Sequence, residues 1–251
     1  MGKLLIIVPH QDDEIIIAGP IMDQLLNRYD IRVLFTTNGD YGISSKNNIR
    51  LEESIEALKV LGVKEKNIIF AGYGNEWNSG HIYNKKDDEI CVSECGRCCT
   101  YALENHQEFH YMKYGLHAVY TRQNYLNDIK ECIENIMPDV IICVDLDFHV
   151  DHIATALLCE EALGIILKSN RGYYPTVLKT FAYEGAWFGL DDYWLKNVTK
   201  LNKQRHRFET IGYELDNPYC TEKNALRINV SDKVLTNNIK NSILYKAATI
   251  Y

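Results

Sequence analysis

The chain has 251 residues, 46% hydrophobic and 24% charged, a composition that can bury a core without disulfide staples. Its 27 basic and 34 acidic residues leave a formal charge of −7. With no basic block, that charge argues against nucleic acid or anionic lipid as a partner and leaves neutral or cationic small molecules open. No apolar run approaches the ~18 residues of a membrane span.

Leu4–Val8 is a short, wholly apolar run, the signature of a buried central strand. It stops at Pro9-His10, and Asp12, Asp13 and Glu14 follow, where a signal peptide would end in small residues. The start is therefore read as a first strand, and a reducing cytoplasm is the expected compartment. Helical periodicity runs from Asp13 to about Arg28, with Ile16, Ile17, Ile21, Leu25 and Leu26 on one face. Ile31–Thr36 is a second strand, and Asn38-Gly39-Asp40-Tyr41-Gly42 a turn-rich loop. A helix from Asn48 to about Leu61 is stopped by Gly62. Asn67–Phe70 is a third strand, and the stretch from about Gly72 to Tyr120 reads as an irregular insertion. Arg122–Ile136 is helical and ends before Pro138; Val140–Val144 is a fourth strand; His152–Lys168 is helical. Strand-like Thr176–Tyr183 and helices near Thr199–Glu209 and Asp232–Thr249 complete the chain, which stops in a predicted helix at Tyr251, where a few more residues are expected.

This order predicts one α/β domain: a Rossmann-like, three-layer arrangement with a mostly parallel sheet flanked by helices. Ligands of such sheets bind beyond the carboxyl ends of the strands. Strand one is followed there by His10-Gln11-Asp12-Asp13-Glu14, and strand four by Asp145-Leu146-Asp147-Phe148-His149-Val150-Asp151-His152. Each cluster has an ordinary explanation, because acids in a first helical turn satisfy free N–H groups and histidines are common in loops. Two clusters at matching sheet positions favour a metal centre, since a catalytic zinc needs three His or carboxylate ligands and an open position.

Pro9-His10-Gln11-Asp12-Asp13-Glu14 resembles the Pro-His-Pro-Asp-Asp-Glu signature of the PIG-L/LmbE-like zinc-dependent N-deacetylases, and His149-Val150-Asp151-His152 resembles that family's His-Pro-Asp-His. Thr37-Asn38-Gly39-Asp40, Arg50-Leu51-Glu52-Glu53, Leu61-Gly62-Val63 and Pro138-Asp139-Val140 follow the same pattern. The resemblance implies a hydrolase that removes an N-acetyl group from an amino-sugar conjugate. It implies one zinc ion, or another divalent metal, on His10, Asp13 and His152. Asp12 would be the general base for the attacking water. His149, as imidazolium, would stabilise the oxyanion or protonate the leaving amine. Asp151, with Asp147, would orient the ligand histidines, and Arg50 would contact substrate hydroxyls. Gln11 and Val150 replace the two family prolines; Gln11 offers a polar contact to substrate.

Other signals are weaker. Cys91, Cys95 and Cys98 have the spacing of a radical-SAM iron–sulfur motif, but in a mid-chain loop and without an aromatic beside the last cysteine. A structural zinc using these cysteines with His106 or His110 is a second reading, and thiols in a loop the plainest one. His106 and His110 are spaced like a solvated helix face, with His110 in a segment able to fold over the site as a substrate contact. Trp77, Trp187 and Trp194 are candidate sugar platforms. Cys143 and Cys159 look like buried thiols. An inactive sugar-binding domain on the same fold is the alternative function.

Overall fold

The computed structural model describes residues 1–40, 47–75, 82–147, 149–180, 182 and 243–251. In chain order the elements are β1 (Gly2–Val8), α1 (Asp13–Leu25), β2 (Tyr29–Thr37), α2 (Asn47–Leu61), β3 (Ile68–Tyr73), α3 (Phe109–Tyr114), α4 (Arg122–Ile136), β4 (Val140–Val144), α5 (Val150–Ser169), β5 (Thr176–Thr180) and α6 (Ile243–Ala248).

The strands form one sheet in the order β3-β2-β1-β4-β5, and every pair is parallel. Leu4 to Val8 are fully buried, which is why the most continuous apolar run takes the central place. Both β2 and β4 pair with β1, so the chain winds outward in opposite directions from that strand. The register Ile7↔Cys143 sets the carboxyl ends of β1 and β4 side by side. The loops entering α1 and α5 therefore open into one crevice, the place where open α/β sheets bind ligands.

Several elements differ from expectation. Ile16 is 53% exposed, and the buried stripe of α1 consists of Asp13, Glu14, Ile17, Ala18, Gly19 and Met22. The helix thus spends its first inward positions on carboxylates rather than on apolar side chains. Strand β3 continues to Tyr73, where the Tyr73 carbonyl accepts the Asn38 N–H at 2.8 Å. The insertion adds little regular structure beyond the short α3, but it is anchored. Tyr101 N–H donates to the Gly72 carbonyl, and Thr100 and Tyr120 pair across to Ala118 and Cys98. The predicted helix Thr199–Glu209 lies outside the described residues, and of Asp232–Thr249 the described part is helical as α6. That helix packs on α1 and α2, with Leu244 against Gly19 and Ala247 buried. No helix among the described residues is long and apolar enough to cross a membrane.

Candidate active site

At the β1–β4 crevice three side-chain atoms from two distant segments meet. His10 Nδ1 lies 3.2 Å from His152 Nε2 and 3.3 Å from Asp13 Oδ2, and His152 Nε2 lies 3.2 Å from the same oxygen. All three residues are at most 1% exposed. Donors 2.0–2.2 Å from a tetrahedral zinc stand roughly 3.3–3.5 Å apart, so this near-equilateral triangle has the size of one face of such a site.

The outward nitrogens of both histidines are held by carboxylates. His10 Nε2 is 3.0 Å from Asp151 Oδ2, and His152 Nδ1 is 2.6 Å from Asp147 Oδ2. Assigning the protons to those nitrogens turns the lone pairs of His10 Nδ1 and His152 Nε2 toward each other and toward Asp13. Lone pairs so arranged fit a cation between them. The field agrees: burial opposes charge on His10 and His152, yet the carboxylates raise both. Burial alone would raise Asp13, but the two histidines hold it well below the usual carboxylate range.

His149 completes the wall. It precedes α5, where its Nδ1 accepts the Asp151 N–H at 3.1 Å as a helix cap. Its backbone N–H donates to Asp147 Oδ1 at 2.7 Å, so Asp147 fixes both histidines of the second motif. Burial and the neighbouring His10 and His152 push His149 down to about 4. With Nδ1 accepting the Asp151 N–H, Nε2 is the nitrogen left to carry a ring proton.

The sequence model described as GlcNAc-PI de-N-acetylase (PIG-L) matches residues 5–163. The chain belongs to this family. Comparison with curated proteins finds no match. Among solved structures, an N,N′-diacetylchitobiose deacetylase from Pyrococcus horikoshii is similar at 18% identity and TM-score 0.46, over 72% of this chain and 60% of that one. The conserved protein TT1542 from Thermus thermophilus is similar at 17% identity and TM-score 0.44, over 71% and 64%. The 4-carboxy-2-hydroxymuconate hydratase GalB from Pseudomonas putida is similar at 17% identity and TM-score 0.41, over 70% and 60%. The chain thus spans less than two thirds of the length of each of these structures.

Beyond the triangle, the first PIG-L motif is arranged around Asp12. This residue has φ 125°, a region that costs a non-glycine residue strain, and its side chain makes no cap hydrogen bond. The capping explanation of Asp12 therefore does not hold. Its backbone N–H is held by Glu14 Oε2 at 3.0 Å, and Glu14 Oε1 accepts the Tyr251 hydroxyl at 2.5 Å. Glu14 is fully buried, and its desolvation pushes it up to about 8. Neither Glu14 nor Tyr251 was legible as a site residue, because Glu14 looks like a first-turn acid and Tyr251 is far off in sequence. Burial and Asp13 raise Asp12, with Arg50 opposing.

Arg50 Nη2 lies 2.6 Å from the Gln11 carbonyl and 3.4 Å from Asp12 Oδ2. Asp12, Ile49, Arg50, Glu53 and Tyr251 line a cavity of about 400 Å³. Gln11, expected to face substrate, is fully buried and donates to the Thr37 carbonyl at 2.8 Å. It ties the motif to β2 in place of the rigidity of the family's proline. Gly39 at φ 60° is what lets the loop after β2 approach, since a Cβ there would stand 2.5 Å from Gln11 Oε1.

The structure does not bring His110 to this cluster. Its Nδ1 faces Asp128 Oδ1 at 2.8 Å, beside a separate pocket lined by Tyr114, Leu116, Asn127 and Glu131. Nor do His106 and His110 share a helix face, because His106 precedes α3 and bonds the Ile68 carbonyl. Cys91 and Cys95 turn to the carbonyls of Glu89 and Asp40, away from a common centre with Cys98. Cys143 and Cys159 are buried as expected. The three tryptophans lie outside the described residues.

Proposed function

We propose that the chain is a zinc-dependent hydrolase that removes an N-acetyl group from an amino-sugar conjugate. The observation that carries this reading is the 3.2–3.3 Å triangle of His10 Nδ1, Asp13 Oδ2 and His152 Nε2, with Asp12 next to it in the chain. Two imidazoles and one carboxylate form a donor set suited to zinc with an open coordination position. A zinc ion bound there supplies a Lewis acid for the amide carbonyl and lowers the pKa of a water from ~15.7 to ~7.

The chain's own groups do the rest. Asp12, adjacent to a ligand but not part of the triangle, takes the proton of the attacking water and carries it to the leaving amine. Its raised pKa suits both halves of that task. Arg50 orients Asp12 from 3.4 Å and presents donors to sugar hydroxyls at the cavity rim. His149 donates from Nε2 to the carbonyl oxygen as negative charge develops there. Asp147 and Asp151 keep the histidine tautomers fixed. The sugar reading rests on the family, whose description names an N-acetylglucosaminyl substrate.

The test is acetate release from N-acetylglucosamine conjugates by the zinc-loaded chain and by Asp12→Asn. The variant is expected to keep its zinc and lose at least about 10²-fold in kcat, the usual worth of a general base. Near-normal turnover would remove Asp12 from this role. Zinc binding without acetate release from any conjugate would favour the inactive sugar-binding domain.

A further inference from the structure

The insertion carries a thiol pair that the deacetylase reading leaves unused. Cys98 Sγ lies 3.9 Å from Cys99 Sγ, with Cys98 exposed and Cys99 half-buried. The backbone beneath them is held in extended pairing. Tyr120 N–H donates to the Cys98 carbonyl at 2.7 Å, Thr100 N–H donates to the Ala118 carbonyl at 2.8 Å, and Cys99 bridges Val119. Neighbouring side chains of an extended stretch ordinarily point to opposite faces. Here the two sulfurs converge instead. Cys98 is exposed, so the pair can be reached from solvent.

The separation decides what the pair is suited to. A disulfide needs sulfurs ~2.05 Å apart on Cα atoms at least ~4.4 Å apart, whereas consecutive Cα atoms are ~3.8 Å apart. Closing that bond would disrupt the paired backbone. Two thiolates ~2.3 Å from one centre stand roughly 3.5–4.0 Å apart, from the ~100° angles of a pyramidal arsenic(III) to the ~120° angles of a trigonal copper(I). The observed 3.9 Å falls in that range with no movement of the chain.

We propose that Cys98 and Cys99 form a chelating dithiolate site for a soft, thiophilic centre of the class of trivalent arsenic or monovalent copper. Thiolates select such centres over hard cations. The other cysteines of the loop do not share in it, since Cys91 and Cys95 are turned to backbone carbonyls. His106, the nearest candidate imidazole in sequence, is engaged at β3. With an aryl-arsenic(III) oxide, each thiol gives up its proton, two As–S bonds form, and the arsenic oxygen leaves as water. The arsenic stays trivalent and no oxidant is needed. This site is independent of the His10–Asp13–His152 centre and of the proposed deacetylase activity.

Phenylarsine oxide is the probe, titrated into the full, zinc-loaded chain and into Cys98→Ser, Cys99→Ser and the double variant. One equivalent is expected to bind the wild type, to be released by a dithiol far more readily than by a monothiol, and to shield Cys98 and Cys99 from alkylation in peptide mapping. Each single variant is expected to bind about 10²-fold more weakly, because the second thiol acts at high effective concentration. Equal affinity in the double variant, or shielding at other cysteines of the wild type, would overturn the assignment. So would the absence of binding to the wild type.

Discussion

His10, His149 and His152 form a second geometrically admissible ligand set, with atoms within 4.8 Å of one another. One fact favours Asp13 over His149 as the third ligand: the Asp13 edges are 3.2 and 3.3 Å, the size a tetrahedral zinc requires. Asp13→Ala is therefore expected to lose zinc on dialysis, and His149→Ala to retain close to one equivalent by elemental analysis. Loss from both variants alike would make His149 a ligand. The candidate ligands were legible because zinc chemistry demands particular residue types and they stand in motifs at strand ends. The support from Glu14 was not, since it follows from burial and from Tyr251, a neighbour distant in sequence.

At the scale of elements, the boundaries of α4 and β4 could be read to the residue, because a proline and an unbroken apolar run mark them, and the structure adds a Thr121 cap at the start of α4. The end of β3 could not. Its last turn depends on Gly72 at φ 82°, where a Cβ would lie 2.5 Å from the Tyr101 carbonyl and 2.8 Å from Glu108 Cγ. Glu108 is itself fully buried and bonded to Thr100 Oγ1 at 2.6 Å, so it has no room to withdraw. Gly115 also has positive φ, 73°, but nothing lies within 4 Å of a Cβ there. Positive φ alone costs roughly 1–3 kcal/mol, and the clash at Gly72 adds to it. Each kcal/mol lowers Tm by about 2–4 °C in a chain of this size. Thermal unfolding of Gly72→Ala is therefore expected to fall well below that of Gly115→Ala. Equal melting temperatures would mean that the insertion is not anchored to β3 in this way.

For the whole molecule, the feature that matters most is that the two ligand segments, 142 residues apart from His10 to His152, meet only through the sheet. The α/β order read from the apolar runs put both segments at one edge of the sheet; that β1 and β4 are direct parallel neighbours, so that their following loops share a crevice, is what the structure adds. An ion held there binds the native state and finds no preformed site in the unfolded chain. It therefore stabilises by mass action, by about 2.7 kcal/mol when its free concentration is a hundred times its Kd. At the conversion above, that is a rise in Tm of roughly 5–10 °C. The acids around the site sharpen the effect. Asp13, Asp147 and Asp151 are all buried or nearly so, and a cation held there would balance their charge. Chelator-treated wild type is expected to melt lower by that amount and to recover on adding zinc back. Asp13→Ala is expected to melt at one temperature with or without chelator. A wild type whose melting does not change as its zinc leaves would mean that the ion is not bound between the two motifs, whatever its catalytic worth.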